Sequence, residues 1–232
     1  MLEDLFAGTL GLGDTAFAEQ LACEIQRGQN LTSGVDEKGP ILTGMSGTDL
    51  RHYLRTYDAD LPVDLCARMV QSFQTLARFQ QPNGRGHRAG LENSAWTEVN
   101  VTKLSDAGFL SFFRGRIDAA LARYNREVAL TVPIPNSPKT ADLILKRYRP
   151  GRDERFELHF DSINEVCNRY LVLLWYLNDV EQGGETHFPQ LDVTVPARTG
   201  RLLMFPPYWM YQHEGLPPVS GEKYIVSTYL LF

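Results

Sequence analysis

The sequence predicts an α+β fold in which helices come first and an antiparallel β-sandwich follows. Helical periodicity dominates before about residue 140, whereas short apolar runs separated by turn residues dominate after it. These runs stand too close together for helical crossovers, so they favour antiparallel pairing. The run at residues 170–177 is apolar on both parities, so both of its faces must be covered. A sandwich with helices packed on one outer sheet meets that requirement.

Three helices are predicted in the N-terminal part of the chain. Asp14 can cap the first, which Gly28 can end, and Pro62 fits the first turn of the second. Ser105 or Asp106 opens the third. One face of each helix should pack on the core, because apolar residues recur at a spacing of three to four. These residues are Phe17, Leu21 and Ile25; Leu65, Met69, Phe73 and Leu76; and Phe109, Phe113, Leu121 and Tyr124.

Residues 80–94 separate the second and third predicted helices. They are rich in Gly, Asn, Arg and Ser and show no periodicity. This composition predicts a long exposed loop. Two functions stay open for it, a plain surface connection or a lid that closes over a site.

The C-terminal part contains the runs that we expect to form strands, with turn-forming Gly and Asp residues between them. The runs span residues 141–148, 155–161, 169–177, 186–189, 192–197, 200–205 and 223–232. No repeat or low-complexity linker divides the chain, so one domain covering residues 1–232 is predicted. Residues 1–140 should be mainly helical support and loop, and residues 141–232 should form the core that carries the site.

Composition excludes several classes of protein. The 232 residues are 43% hydrophobic and 22% charged, as in ordinary globular proteins, and the net charge of −5 predicts neither nucleic acid nor an anionic membrane as a partner. The longest apolar run is only strand-sized, and the N-terminus does not resemble a signal peptide. The three cysteines form no CxxC motif, so neither a disulfide framework nor a zinc site is indicated. We therefore expect a cytoplasmic protein, of an oligomeric state that the sequence does not indicate.

The pair His159 and Asp161 is the first candidate for chemistry. Residues two apart on a strand point to the same face, so both side chains can converge on one metal ion. An iron site built from two histidines and one carboxylate needs one more imidazole. His213, just before the last strand, is the best candidate by position. His187, which follows a Gly-Gly turn, is a weaker candidate, and His52 and His87 are interpreted as ordinary surface histidines.

Two residues near these candidates predict an anion-binding pocket. Lys223 lies ten residues after His213, at the start of an otherwise apolar strand. At the mouth of an apolar cavity, its cation would suit the carboxylate of a bound molecule. Tyr176 lies inside the run that is apolar on both faces, and its hydroxyl needs a hydrogen-bond partner when buried. A bound carboxylate would be one such partner.

Taken in order, these motifs resemble the prolyl 4-hydroxylase-like family of Fe(II)- and 2-oxoglutarate-dependent dioxygenases. The resemblance covers about residues 142–232, and although each motif is weak alone, the ordered set is specific. Its motifs are KRYRPG at 146–151, H-x-D at 159–161, LNDVEQGGETHFP at 177–189 and H-x10-K at 213–223, with Pro217, Gly221 and Tyr224 also matching the family pattern.

The resemblance implies a double-stranded β-helix, or jelly roll, with the N-terminal helices packed on one sheet. It also implies that His159, Asp161 and His213 hold Fe(II). The co-substrate 2-oxoglutarate would then be decarboxylated with O2 to succinate and CO2 while an unactivated C–H bond is hydroxylated, with ascorbate as a supporting reductant. Related halogenases have a small residue in place of the carboxylate, so Asp161 favours hydroxylation.

For the co-substrate, the resemblance implies that Lys223 pairs with the distal carboxylate of 2-oxoglutarate. Tyr176 matches a tyrosine that hydrogen-bonds that carboxylate in relatives, and Tyr148 matches a tyrosine that lines the same pocket. Peptidyl proline is the leading substrate, and a free amino acid or another small metabolite is the alternative. A cupin-like binding module without oxygenase chemistry is the alternative of another class, although cupins use H-x-H where this chain has Asp161.

Overall fold

The structure, a computed structural model, describes residues 49–87, 90–135 and 138–232. The helix predicted to begin at Asp14 lies outside the described residues. The described residues fall within one compact unit, and the single domain over the whole chain stays a prediction. In this part of the chain, no helix combines the length and the apolar character that crossing a bilayer requires.

Two of the predicted helices are confirmed, and we name them α1 (Val63–Thr75) and α2 (Ala107–Val128). Pro62 is the N-cap of α1, one position before the first turn. The carboxylate of Asp106 caps α2 by accepting a hydrogen bond from the backbone N–H of Phe109, at 2.8 Å. Each helix buries its apolar face: Cys66, Met69 and Phe73 in α1, and Phe113, Ile117, Ala120, Leu121, Tyr124 and Val128 in α2.

The strands form two antiparallel sheets. The larger has the order β1-β10-β7-β12-β5-β3-β2, with β4 paired to β12, and the smaller has the order β6-β11-β8-β9. The bounds are β1 Arg55–Tyr57, β2 Gln81–Gly84, β3 Ala95–Asn100, β4 Lys139–Thr140, β5 Ile144–Tyr148, β6 Phe156–His159, β7 Arg169–Tyr176, β8 Thr186–Phe188, β9 Val193–Val195, β10 Leu202–Phe205, β11 His213–Gly215 and β12 Lys223–Leu231.

Strand β7 lies inside the larger sheet, and both of its faces are buried, as its sequence predicts. On one face, Leu173 and Trp175 join an apolar cluster with α1 and α2. On the other face, Leu174 and Tyr176 join a second cluster, which includes Phe188 of the smaller sheet. The described unit therefore has three layers, helices, larger sheet and smaller sheet, with one apolar core on each side of β7. This confirms the predicted packing of helices on one sheet.

The N-terminal part also contains strands that the sequence did not predict. Helix is its main regular structure where it is described, but β1 to β4 lie there as well and extend the larger sheet. Residues 80–94 are not all loop, since residues 81–84 form β2 and pair with residues 95–98 of β3. The strand escapes the sequence pattern because it is a polar edge strand, held by backbone hydrogen bonds rather than by alternating apolar side chains. The three-residue strand β11 also has too little sequence to show alternation.

Gly84 closes the β2–β3 hairpin and generates the first prediction. Its φ is +86°, and a Cβ there would overlap the carbonyl oxygen of Ser94. We expect Gly84→Ala to destabilise the protein by more than the about 1–2 kcal/mol that a left-handed conformation costs an L-residue. Gly86→Ala is the matched control, since its φ is +75° but its Cβ would meet no described atom within 4 Å. Urea unfolding of both variants measures the difference, and equal losses would contradict the hairpin.

Candidate active site

The pairing of β6 with β11 brings the two histidines of the predicted site together. His159 ends β6, and His213 begins β11 directly opposite it in the antiparallel register. The centroids of their imidazole rings are 4.3 Å apart. Directly opposite residues of an antiparallel pair share one face of the sheet. The register therefore places both rings on the side of the smaller sheet that faces the larger one.

Asp161 completes the cluster from just beyond β6. The strand stops at His159, so the expectation that both residues lie on one strand is wrong. Instead, the backbone N–H of Asp161 donates to the carbonyl of Pro207, at 3.0 Å, which holds the bend. The two carboxylate oxygens lie 3.5 Å from Nε2 of His159 and 3.4 Å from Nε2 of His213. One atom from each of the three residues lies within 4.8 Å of the other two.

Backbone carbonyls set the tautomer of both imidazoles. Nδ1 of His159 lies 2.6 Å from the carbonyl oxygen of Glu157, and Nδ1 of His213 lies 3.0 Å from that of Tyr211. A carbonyl can only accept, so each Nδ1 carries the proton and donates it. Each Nε2 then presents its lone pair toward Asp161, which is the arrangement that metal-binding histidines require.

Burial and charge keep the cluster in the right protonation state for a cation. Burial alone would raise the pKa of Asp161, but the hydrogen bond from His159 and the positive charges of both histidines, when these imidazoles are protonated, outweigh burial and hold that pKa below its usual range. Burial lowers the pKa of His213 to about 4, with the charge of His159 adding to the effect, so this imidazole is neutral at pH 7. Two imidazoles and one carboxylate fit a divalent transition metal, and iron in particular.

A cavity between the two sheets adjoins the cluster. Its walls come from β5, β7 and β12 of the larger sheet and from β6, β8 and β11 of the smaller one. Lys223 lines this cavity and is only 2% exposed. Its Nζ lies 5.3 Å from the centroid of the Tyr148 ring and 5.8 Å from that of Tyr176. Burial lowers the pKa of Lys223 to about 7, opposed by the charge of Glu185.

Residues 143–231, which hold this cluster and Lys223, match the 2OG-Fe(II) oxygenase superfamily, where 2OG stands for 2-oxoglutarate. This segment belongs to that superfamily. The resemblance predicted from the ordered motifs is therefore confirmed, and with it the cofactor pair Fe(II) and 2OG that the family uses. The donor set of the cluster agrees with an iron site.

Known proteins similar to this oxygenase domain include prolyl hydroxylases. A protein of Acanthamoeba polyphaga mimivirus, provisionally named a prolyl 4-hydroxylase, is 31% identical over 117 residues, which are 42% of this chain and 46% of the relative. The chain thus spans about half the length of that curated relative. The sequence over which the two are compared is therefore shorter than either protein.

Two solved structures share the fold of the oxygenase domain. One is a viral collagen prolyl hydroxylase of Paramecium Bursaria Chlorella virus-1 with 2OG (TM-score 0.54, 20% identity, covering 79% of this chain and 98% of that one). The other is a prolyl hydroxylase of Trichoplax adhaerens with a peptide of the hypoxia inducible factor oxygen degradation domain (TM-score 0.60, 17% identity, covering 78% and 84%). At these identities the likeness establishes the fold, a double-stranded β-helix, as the resemblance implied.

The two tyrosines predicted near the co-substrate have different positions in the oxygenase domain. Tyr148 lines the cavity, directly opposite Lys223 on the neighbouring strand. Tyr176 does not line it, and its hydroxyl donates to the hydroxyl of Thr186, at 2.7 Å. The buried hydroxyl of Tyr176 thus has the hydrogen-bond partner that the sequence argument requires, and this partner is a residue of the protein. Thr186 lines the cavity in its place, and both tyrosine roles toward 2OG stay predictions.

The other candidate histidines lie away from the cluster. Nδ1 of His187 is 2.9 Å from a carboxylate oxygen of Glu214, on neighbouring strands of the smaller sheet. Nε2 of His52 is 2.9 Å from the carbonyl oxygen of Val128. His87 is exposed in the turn of the β2–β3 hairpin. His213 is therefore the histidine that joins His159 and Asp161.

Sequence reasoning missed the side chains that hold Asp161. The hydroxyl of Tyr229 donates to Oδ1 of Asp161, at 3.1 Å. The guanidinium carbon of Arg169 lies 3.7 Å from the centroid of the Tyr229 ring, and this arginine also donates to the backbone carbonyl of Asp161, at 3.3 Å. A signal was available, because Tyr229 and Lys223 have the same parity on one strand and so share a face.

Removing the hydroxyl of Tyr229 generates the second prediction. Tyr229→Phe leaves Asp161 without this donor, and losing a partner of a metal ligand typically costs about 10–100-fold in metal affinity. We expect a loss in this range for Fe(II) bound anaerobically, followed by competition with a chelating dye. Tyr170→Phe is the control, since the ring of Tyr170 packs on Phe232 rather than in the cavity. Equal affinity of both variants would show that Tyr229 does not position the carboxylate.

Proposed function

We propose that this protein is an Fe(II)- and 2OG-dependent hydroxylase, with peptidyl proline as the leading substrate. The observation that supports it most is the convergence of His159, Asp161 and His213 beside a cavity that also contains a buried lysine. A metal triad alone would suit many binding modules. The triad together with Lys223 provides the two attachment points that a keto acid with a second carboxylate needs.

In this proposal, His159, Asp161 and His213 would hold Fe(II). Bound iron supplies the oxidising chemistry that couples the decarboxylation of 2OG to succinate and CO2 with the hydroxylation of a C–H bond by O2. The protein contributes position and environment. Nδ1 of each histidine stays bonded to a backbone carbonyl, so the rings cannot turn away from the site.

Lys223 would bind the distal carboxylate of 2OG, with Tyr148 beside it. Apolar side chains of the larger sheet, Val172, Leu174 and Ile225, line the same cavity and limit its hydration. An ion pair formed in such surroundings is stronger than the same pair in water. The co-substrate would thus be held at one end by this pair and at the other by the metal.

Peptidyl proline leads as substrate because the similar proteins carry prolyl hydroxylase names and one of them was solved with a peptide. A free amino acid or another small metabolite is the second candidate. The observation that favours it is a further polar region in the cavity wall, formed by Lys146 and Ser227. A mass-spectrometric screen for the gain of one oxygen, across peptides and free amino acids, distinguishes the two classes.

The metal triad generates the third prediction. Replacing His159, Asp161 or His213 with Ala should abolish 2OG turnover and weaken Fe(II) binding, because the site loses a ligand and its geometry. The readouts are succinate formation and the weak metal-to-ligand absorption band of the anaerobic Fe(II)–2OG complex. His187→Ala is the matched control and should keep both. Activity that survives in His213→Ala but disappears in His187→Ala would overturn this set of ligands.

The fourth prediction concerns Lys223 and the pH dependence of 2OG binding. Because burial lowers its pKa from 10.5 to about 7, the ammonium is present below pH 7 and is lost as the pH rises through that value. The affinity for 2OG should therefore fall above about pH 7, whereas Lys223→Arg should bind with little pH dependence because a guanidinium stays charged. At pH 6.5, Lys223→Ala should lose about 2–5 kcal/mol of 2OG binding, roughly thirty-fold or more.

Titrations of the anaerobic absorption band with 2OG at several pH values measure this. Fe(II) binding itself should stay nearly unchanged in the Lys223 variants, because the lysine is not a metal ligand. A flat pH profile for the native protein, or an unchanged 2OG requirement in Lys223→Ala, would place the anchor on another residue.

A further inference from the structure

One wall of the cavity has polar residues to which the proposed function gives no role. Along β12, Lys223, Ile225, Ser227 and Tyr229 all line the cavity, as alternate residues of one strand must. Lys223 is used for 2OG in the proposed function, and Tyr229 bonds to Asp161. Ser227, between them, has no role in that scheme. Lys146, on the neighbouring strand β5, also lines the cavity, and the proposed function gives it no role either.

The hydroxyl of Ser227 is unusual because it is buried and unsatisfied. Ser227 is only 3% exposed, and among the described residues its Oγ finds no hydrogen-bond partner. Buried hydroxyls in folded proteins nearly always have a partner, since leaving one unpaired costs free energy. A hydroxyl left unpaired in a cavity wall indicates that a bound molecule provides the partner.

The ammonium of Lys146 lies toward the metal side of the cavity. Lys146 is 9% exposed, and its Nζ is 5.4 Å from the centroid of the Trp96 ring and 5.6 Å from that of Phe156. The Phe156 ring is stacked on His159, with centroids 3.7 Å apart. Lys223 is next to a different pair of rings, those of Tyr148 and Tyr176. The cavity thus contains two cations with separate surroundings.

Strand register places Lys146 beside Ser227. Lys146 is opposite Ile225, and Ser227 is opposite Ile144, so Lys146 and Ser227 are diagonal neighbours across the β5–β12 ladder. Such neighbours lie about 7–8 Å apart, a gap that a lysine side chain can span. Glu98 is opposite Lys146 on β3 but does not line the cavity. Lys146 has an interaction of its own within the protein, and an ammonium with three donors can bind a ligand carboxylate as well.

We propose that Lys146 and Ser227 form a second carboxylate-binding subsite in this cavity, which binds a free carboxylate of the substrate that is hydroxylated. The inference rests on the proposed function, because there the metal and Lys223 take the two carboxylates of 2OG. The third carboxylate then belongs to the substrate. Between the two substrate candidates of the proposed function, this favours the second, a free amino acid or another small carboxylic acid. Of peptidyl prolines, it favours one at the C-terminus of a peptide over one inside a chain.

Acetate is the probe for the subsite, with acetamide as its neutral counterpart. The protein is loaded with Mn(II), which accepts imidazole and carboxylate ligands, and is saturated with 2OG. Paramagnetic relaxation of the methyl protons then reports binding near the metal. We expect acetate to bind at least about ten-fold more tightly than acetamide, as for a hydrogen bond to a charged group. Equal binding of the two probes would overturn the proposal.

Variants assign this preference to the two residues. Lys146→Met should abolish the preference for acetate, Lys146→Arg should largely keep it, and Ser227→Ala should weaken it several-fold. Lys139→Met, an exposed lysine of the same sheet, is the matched control and should behave as the native protein. A preference for acetate that survives in both Lys146→Met and Ser227→Ala would place the anion elsewhere and overturn the proposal.

Titration with 2OG shows whether the subsite binds a carboxylate of the co-substrate or one of the substrate. If Lys146→Met weakens 2OG binding as much as Lys223→Ala does, the subsite serves the co-substrate and the proposal is overturned. If 2OG does not bind the native protein at all, the proposed function fails by itself. If 2OG does not bind, the subsite can still be tested with Mn(II) alone. The difference in acetate affinity between the native protein and Lys146→Met then measures anion binding at the subsite.

Proline derivatives test the substrate class. L-proline is compared with L-prolinamide, and a peptide ending in a free prolyl carboxylate is compared with its C-terminal amide, each by competition with acetate for the loaded protein. We expect each acid to displace acetate at least about ten-fold better than its amide. Displacement by a peptide with only an internal proline and an amidated end, as strong as that by the acids, would overturn the inference.

Discussion

The antiparallel pairing of β6 with β11 is the constraint on which the site depends. Because His159 and His213 are directly opposite in that register, a slip by one residue would turn one ring to the outer face of the sheet. The backbone also fixes which nitrogen each ring presents, since each Nδ1 bonds to the carbonyl two residues earlier in the chain. The metal-binding geometry therefore comes from the sheet ladder and not from the histidine side chains alone.

The larger sheet supplies the opposite wall, and its stability is separate from the chemistry. Strand β7 divides the two apolar cores: the side of Trp175 packs against helices and the side of Tyr176 faces the smaller sheet. The two α-helices thus pack on the sheet without lining the cavity. On the cavity face, Lys223, Lys146 and Ser227 stand on two adjacent strands. This division allows a few residues on one face to change without disturbing the helical layer.

The protonation states of the charged groups in the cavity depend on burial and on their neighbours. Asp161 stays ionised because its histidine partners outweigh the cost of removing it from water, and the hydroxyl of Tyr229 adds a donor. Lys223 has no comparable partner among the residues that the structure describes, so burial dominates and lowers its pKa. The anion thus has its partners within the protein, whereas the cation gains most from a ligand. A second lysine in the same wall extends that preference for anions.

The sequence by itself determined the chemistry and the layer order. Fixed spacings such as H-x-D and H-x10-K are local patterns that can be recognised in the sequence alone. The same holds for the run at residues 170–177, which is apolar on both faces. For the third ligand, the sequence only favours His213 by its position. The register of β11 decides it, because it places His213, and not His187, opposite His159. The β2 strand, the Thr186 partner of Tyr176 and the Lys146–Ser227 neighbourhood were decided by the tertiary structure alone. They arise from pairing between strands distant in sequence, and no local periodicity encodes which strands become neighbours.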